Sequence, residues 1–303
     1  MIDAMKIFMT AIALVLAFSS TAGAAIYQQG VVYVIYDEAG DRAVTNKTDK
    51  NSNGVPDVVE DTATQVNAAR EVFNGVFKFT DPLKCERFKN VSSIEIDIES
   101  KARLNKFQGI AYSRVRKSKH NPNERTLFIK VANTINPHAS STPTHEYFHL
   151  VQYASTYFRN KWYLEGMARW SEDAVIKIKR YPSDWDVPVR LKSKFSERQI
   201  FHGSYNMAEF LWYPLAVKMK DKDKIPDKLI GKYKYVDGSR VFQDDVIYGA
   251  NVMTKILHKM KTKESLAAAE FGSLDEWQKS GQRDERNNKI ILNCVREVYH
   301  EKF

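Results

Sequence analysis

Beyond residue 24 the chain has no hydrophobic run of transmembrane length, which excludes a helical membrane span from that part of it. It also lacks internal repeats and low-complexity tracts, so neither a repeat array nor a disordered linker protein fits. Cysteine is scarce, with two residues in 303, which limits the chain to a single disulfide. Nucleic-acid signatures are missing as well. The net charge is +9, but the basic residues are scattered, as in Arg114-Val-Arg-Lys-Ser-Lys119 and between Lys218 and Lys224, with no aromatic-basic register. No nucleic-acid partner is expected. A solvated basic face is the plainer reading, with attraction to anionic cell surfaces a secondary one.

What is present describes a folded chain. It is 43% hydrophobic and 27% charged, and 303 residues can bury a substantial core. The first residues stand apart. Lys6 precedes the apolar run Ile7 to Phe18, and Ala22-Gly-Ala24 supplies a small-residue end. That is the pattern of a secretory signal peptide cleaved after Ala24, and the apolar run is too short for a membrane anchor. The expected mature chain, 25–303, is exported to the cell exterior or the periplasm. In an oxidising compartment Cys85 and Cys294 are expected to pair, tying the N-terminal part to the last helix. Two separate buried thiols are the alternative.

The mature chain reads as α+β, with sheet-and-helix character first and helices after. Strands are predicted at 31–36, 94–98, 109–115 and 125–131 from β-rich or alternating runs. A helix over 57–77 follows from apolar residues at 59, 63, 66, 69, 73 and 77. Thr142 with Pro143 opens another helix, and further helical patterns cover 164–177, 205–219, 245–261 and 287–299. The boundary between lobes falls near 158, giving 25–158 and 159–303, with the helix after Thr142 at the base of a cleft.

That helix carries Thr144-His-Glu-Tyr-Phe-His-Leu-Val-Gln152. Residues four apart share one helical face, so His145 and His149 can offer ring nitrogens to one ion. Glu146 would point into the same cleft. His-Glu-x-x-His is the zinc-peptidase signature, with the glutamate as general base, although a polar surface helix can carry it by accident. A catalytic zinc site needs three protein ligands and an open position. Downstream, Trp162-Tyr-Leu-Glu-Gly-Met-Ala-Arg-Trp-Ser-Glu-Asp173 places Glu165 sixteen positions after His149, enough for a second helix to return alongside. Gly166 is expected to let that helix approach the metal. Glu172 and Asp173 are alternative carboxylates, and Glu172 is a candidate to orient a ligand histidine.

With both segments in hand, the chain resembles the gluzincin branch of the zincin metallopeptidases. It is similar in particular to secreted bacterial metalloproteases that combine His-Glu-Phe-Phe-His with Glu-Gly-x-Ala-x-Trp-x-Glu-Asp. The resemblance is specific over 142–174. It implies a two-lobed zincin-like fold, zinc ligands His145, His149 and Glu165, and Glu146 as base. Leu164 stands where aminopeptidase-type members tend to have asparagine, so their specificity is not carried over. The gap between motifs is also shorter than in thermolysin-like enzymes. Gluzincins often place a tyrosine on a later helix, which makes Tyr205 the first candidate to stabilise the oxyanion and His202 the second.

A second ion is expected upstream. In Asp49-Lys-Asn-Ser-Asn-Gly-Val-Pro-Asp-Val-Val-Glu60, the residues Asp49, Asn51, Asn53, Val55, Asp57 and Glu60 fill the ligand stations of a twelve-residue calcium loop, with Gly54 at the turn. No convincing helix precedes it, so it resembles the calcium loops of dockerins or thrombospondin-type repeats more than a full EF-hand. A polar turn capping a helix is the alternative.

The expected function is therefore hydrolysis of a polypeptide substrate by a secreted, monomeric zinc metallopeptidase with structural calcium. The segment Gly109 to Ser113 is an edge-strand candidate for pairing with extended substrate. The alternative is a calcium-stabilised secreted binding protein whose metal site does not turn over.

Overall fold

The computed structural model describes residues 24–176, 194–219, 222–271 and 279–301, together with Leu191 and Trp277. The expected signal peptide up to residue 23 lies outside that set. A hairpin opens the fold, β1 (Ala25–Gln29) pairing antiparallel with β2 (Val32–Tyr36) around Gly30, whose φ is 61°. The chain then crosses through α1 (Asp57–Arg70) to β3 (Val91–Glu99), parallel to β2. Next come β4 (Gly109–Ala111), β5 (Arg116–Lys117) and β6 (Arg125–Ala132). The sheet order is β1-β2-β3-β6-β4, with β5 also on β6, so β4 and β5 share one edge. The fold is mixed α+β.

Alternation decides the two faces of this sheet. Ile94, Ile96 and Ile98 of β3 are fully buried on one face of the sheet, whose neighbouring strands β2 and β6 meet α1 and α2 (Thr142–Ser155). Glu95, Asp97 and Glu99 point the other way, into a lattice of cations. Arg116 bridges Glu95 and Asp97 with both contacts at 2.6 Å, while Lys119 and Lys130 reach Asp97 and Glu99. Each strand residue thus has a partner suited to its face.

The expected helix at 57–77 is α1 followed by a π-helical turn over Glu71–Val76. Its predicted apolar face is correct as far as Phe73, with Val59, Ala63, Val66, Ala69 and Phe73 all fully buried. After α2 come α3 (Lys161–Ser171), α4 (Lys194–Phe201), a π-helical segment Ala208–Trp212, α5 (Tyr213–Lys218) and α6 (Asp227–Lys232). A small antiparallel pair, Lys222–Lys224 with Val246–Tyr248, brackets α6; the long α7 (Ala250–Phe271), α8 (Lys279–Gln282) and α9 (Asn287–His300) complete the described chain. One buried apolar cluster runs from Val32 to Tyr299. Among the described residues no helix is long and apolar enough to cross a membrane.

The expected disulfide is not formed. Cys294 is fully buried on the face of α9 that meets α7, and burial pushes its thiol up to about 12. Cys85 is half-buried in the turn before 86–88, its thiol donating to Pro82 O at 3.5 Å. Both are free thiols.

Candidate metal centre

The centre is assembled from α2 and α3. Ser141 stands at the cap of α2, so the helix opens at Thr142, one residue earlier than a cap at Thr142 itself predicts. Ser141 makes no capping hydrogen bond, and its hydroxyl donates to Glu172 Oε2 at 2.7 Å. Tyr147, Phe148, Leu150 and Val151 drive α2 into the core, which turns His145 and His149 toward Glu165 of α3 and Glu146 toward β4. The two imidazoles meet edge to face with ring centroids 4.7 Å apart. Glu165, on α3, closes the group, its Oε2 lying 3.4 Å from His145 Nε2 and 3.7 Å from His149 Nε2. One donor atom from each of the three residues falls within 4.8 Å of the others. Among the described residues this is the one group of three or more His, Cys, Asp or Glu arranged to hold an ion.

The far side of each ring decides what it can bind. His145 Nδ1 is 2.8 Å from Glu172 Oε1, and His149 Nδ1 is 2.8 Å from Gln152 Oε1. Oxygen acceptors on Nδ1 place the ring proton there and leave each Nε2 lone pair facing Glu165. Three lone-pair donors then converge with no hydrogen between them. His145 Nε2 and Glu165 Oε2 are indeed buried without a hydrogen-bond partner, a cost that a shared cation removes. The same negative charge also draws a second proton onto His145, which a bound cation must displace. Burial alone would lower the His145 pKa, but bonds to Glu165 and Glu172 and the charge of Glu146 raise it to about 10. Burial opposes ionisation of Glu165 too, yet the two imidazoles hold its carboxyl far below the usual range. The donor set fits a divalent ion of borderline character, zinc before calcium or magnesium.

Glu146 sits against β4. The carboxylate accepts from the Ala111 backbone, and burial raises its pKa. A Cβ at Gly109 would stand 2.6 Å from both Cγ and Oε1 of Glu146 and 2.7 Å from Thr142 Cγ2, so only glycine allows the strand this close. The predicted strand 109–115 is shorter, β4 ending at Ala111, but it forms the sheet edge beside the centre.

Other candidates divide. Tyr205 is brought in: its ring centroid is 5.5 Å from that of His145, and burial and the Glu165 charge raise its pKa. His202 is exposed and lines the cleft beyond Glu165. Glu172 holds His145 as described, and Asp173 lies near Tyr213 instead. Gly166 is a correction. A Cβ there would strike Trp212 Nε1 at 2.6 Å and Met207 Cβ at 2.7 Å, so this glycine admits the 208–212 segment and not the metal. Gln152 was missed, although its position three residues after His149 on one helix is a readable signal.

The upstream loop is also folded as a unit. Gly54 has φ 84° and Ser52 φ 56°, while Asp49 accepts from the Asn53 and Gly54 amides at 3.2 and 2.8 Å. Asn51 and Asn53 each donate to a different oxygen of Glu60 at 2.9 Å. The Val55 amide donates to Asn53 Oδ1 at 2.8 Å, and Asp57 Oδ1 accepts from the Lys50 amide at 2.9 Å. Asp49, Asn51, Asn53 and Glu60 therefore form one linked group, with Asp57 joined through the backbone, but the carboxylates of Asp49, Asp57 and Glu60 do not converge as the three donors of the centre do.

Comparison with protein-family models, curated proteins and solved structures finds no match.

Proposed function

We propose that the chain is a zinc metallopeptidase with a zincin-like catalytic domain of the gluzincin kind. The observation that carries this reading is the convergence of His145 Nε2, His149 Nε2 and Glu165 Oε2, with Glu146 beside them under an edge strand. In this reading 25–158 and 159–303 are the two lobes, and the chain acts as an exported monomer.

A divalent ion held by the three groups would polarise the scissile carbonyl and acidify a water molecule next to Glu146. The remaining work belongs to the chain. An extended polypeptide pairs with the free edge of β4, which sets the carbonyl over the centre. Glu146, buried and steadied by the Ala111 amide, accepts the proton of the attacking water and passes it to the leaving amine. Tyr205 donates its phenol to the oxyanion that develops on the carbonyl. Glu172 and Gln152 keep both imidazoles in the ligating tautomer.

The loop 49–60 is assigned a structural calcium ion, held by Asp49, Asn51, Asn53, Val55, Asp57 and Glu60. Its position just ahead of α1 would fix the entry of that helix. Three carboxylates suit the millimolar calcium outside cells. A binding protein without turnover is the competing account, but it gives no use to Glu146 or to the glycine that clears space for it. Metal analysis of the purified chain, with a chelator-sensitive assay on unfolded polypeptides, tests the proposal. About one zinc per chain by the three-ligand logic, with cleavage abolished by chelator, is the expected result.

A further inference from the structure

A cleft of about 870 Å³ opens beside Glu165, lined among others by Tyr153, Leu164, Phe201, Arg159 and Arg283. Arg159 is the unusual member. The residue is 93% buried, being 7% exposed, yet its Nε has no hydrogen-bond partner and it forms no ion pair with any described carboxylate. A buried guanidinium without a counter-ion is costly and persists where something else supplies the anion. The charged side chains that act on it most strongly are Arg87 and Arg283, both of its own sign. Arg87 is already committed, donating to Tyr153 O and Thr156 O at 2.5 and 2.9 Å. Glu285 also borders the cleft, but it is exposed and does not pair with Arg159.

Arg159 is also fixed with respect to the metal centre. Its guanidinium lies 4.9 Å from the Tyr153 ring centroid, and the Tyr153 ring stacks on His149 at 6.0 Å and 13°. One aromatic ring therefore separates guanidinium from candidate ligand. An extended chain advances about 3.3–3.6 Å per residue, which makes that separation a step of one or two residues plus a side chain.

We propose that Arg159 is the anion-recognition residue of this cleft, binding a carboxylate of the polypeptide within one or two residues of the cleaved bond. The proposal rests on the metallopeptidase reading for its substrate. The carboxylate can come from an Asp or Glu side chain or from the C-terminus of the chain being cut.

The test measures binding without turnover. Fluorescent peptides of one sequence carry Glu or Gln near the central bond and end in a free acid or an amide. They are titrated into zinc-loaded Glu146→Gln protein, with and without Arg159→Gln. The expected result is roughly 10- to 100-fold tighter binding of one charged form than of its neutral isostere, falling to about one-fold in Arg159→Gln. Arg159→Lys, which keeps the charge but not the fork, should retain part of the ratio and guards against a folding defect. A ratio carried by the side chain identifies an acidic internal residue, and one carried by the terminus identifies a chain end. Equal affinity for charged and neutral peptides, or a ratio that survives Arg159→Gln, overturns the proposal. Cleavage by the parent is scored separately. Charge-selective binding without any hydrolysis would contradict the metallopeptidase reading and leave the carboxylate site standing, and hydrolysis without charge selectivity would do the reverse.

Discussion

Gln152 Oε1 lies 2.8 Å from Nδ1 of His149, and the same side chain donates to the Leu164 carbonyl at 3.1 Å. One amide thus joins the helix that carries the two histidines to the helix that carries Glu165. It sets the His149 tautomer and the spacing of α2 and α3 together. Gln152→Ala is expected to weaken metal affinity roughly 10- to 100-fold, measured by competition with a chelator of known affinity. Unchanged affinity would mean that the contact orients nothing.

Gly109 gives a sharper geometric prediction. An alanine there collides with Glu146 and Thr142, so the strand or the carboxylate must move. A shift of about 1 Å at the reacting groups can cost on the order of 100-fold in rate. Gly109→Ala should lose about that much of kcat with metal content unchanged. Full activity in the variant would place Glu146 outside the chemistry.

The centre was legible in the sequence to the degree that its parts are local. His145 and His149 sit on one helical turn, and Glu165 follows at a separation that allows a return helix. The orientation of glycine 166 was not legible, because which face of α3 meets Trp212 is decided by tertiary packing. Strand β1 was missed for a related reason. Ala25–Gln29 alternates between half-buried and exposed, and its pairing with β2, not its composition, makes it a strand. The cysteines misled because compartment chemistry says nothing about distance, and Cys294 faces α7. Arg159 gives no motif at all, since its significance is the absence of a partner.

The sheet's outer face supplies a stability prediction. Glu95 is completely buried and Asp97 nearly so, and both depend on Arg116. Arg116→Met should cost on the order of 3–5 kcal/mol by leaving buried Glu95 without its arginine and Asp97 with Lys119 alone, read from denaturant unfolding.

Acid should act on the same pair. Burial alone would raise both carboxyls, but bonds from Ser118 and Arg116 to Glu95, and from Arg116 and Lys119 to Asp97, hold them below their ordinary 4.5 and 3.8. The folded state therefore gains stability above those values and loses it as pH falls through the lower folded ones. Melting temperature should drop steeply below about pH 4, and less steeply in Arg116→Met.

Calcium is expected to act on stability alone. Glu60 closes the loop and receives both asparagines, so Glu60→Gln should abolish a calcium-dependent rise in melting temperature while zinc content stays the same. A calcium response equal to the parent's would remove the loop assignment.

In the proposed mechanism Glu146 moves the proton of peptide hydrolysis. Glutamine keeps its shape and its place under β4 but cannot serve as a base near neutral pH. The decisive measurement is cleavage of unfolded polypeptides by parent and Glu146→Gln, with zinc content and melting temperature determined on the same samples. Equal zinc, equal melting and a loss of roughly 100- to 10,000-fold or more in rate are expected for Glu146→Gln. Equal cleavage by the two proteins would contradict that mechanism.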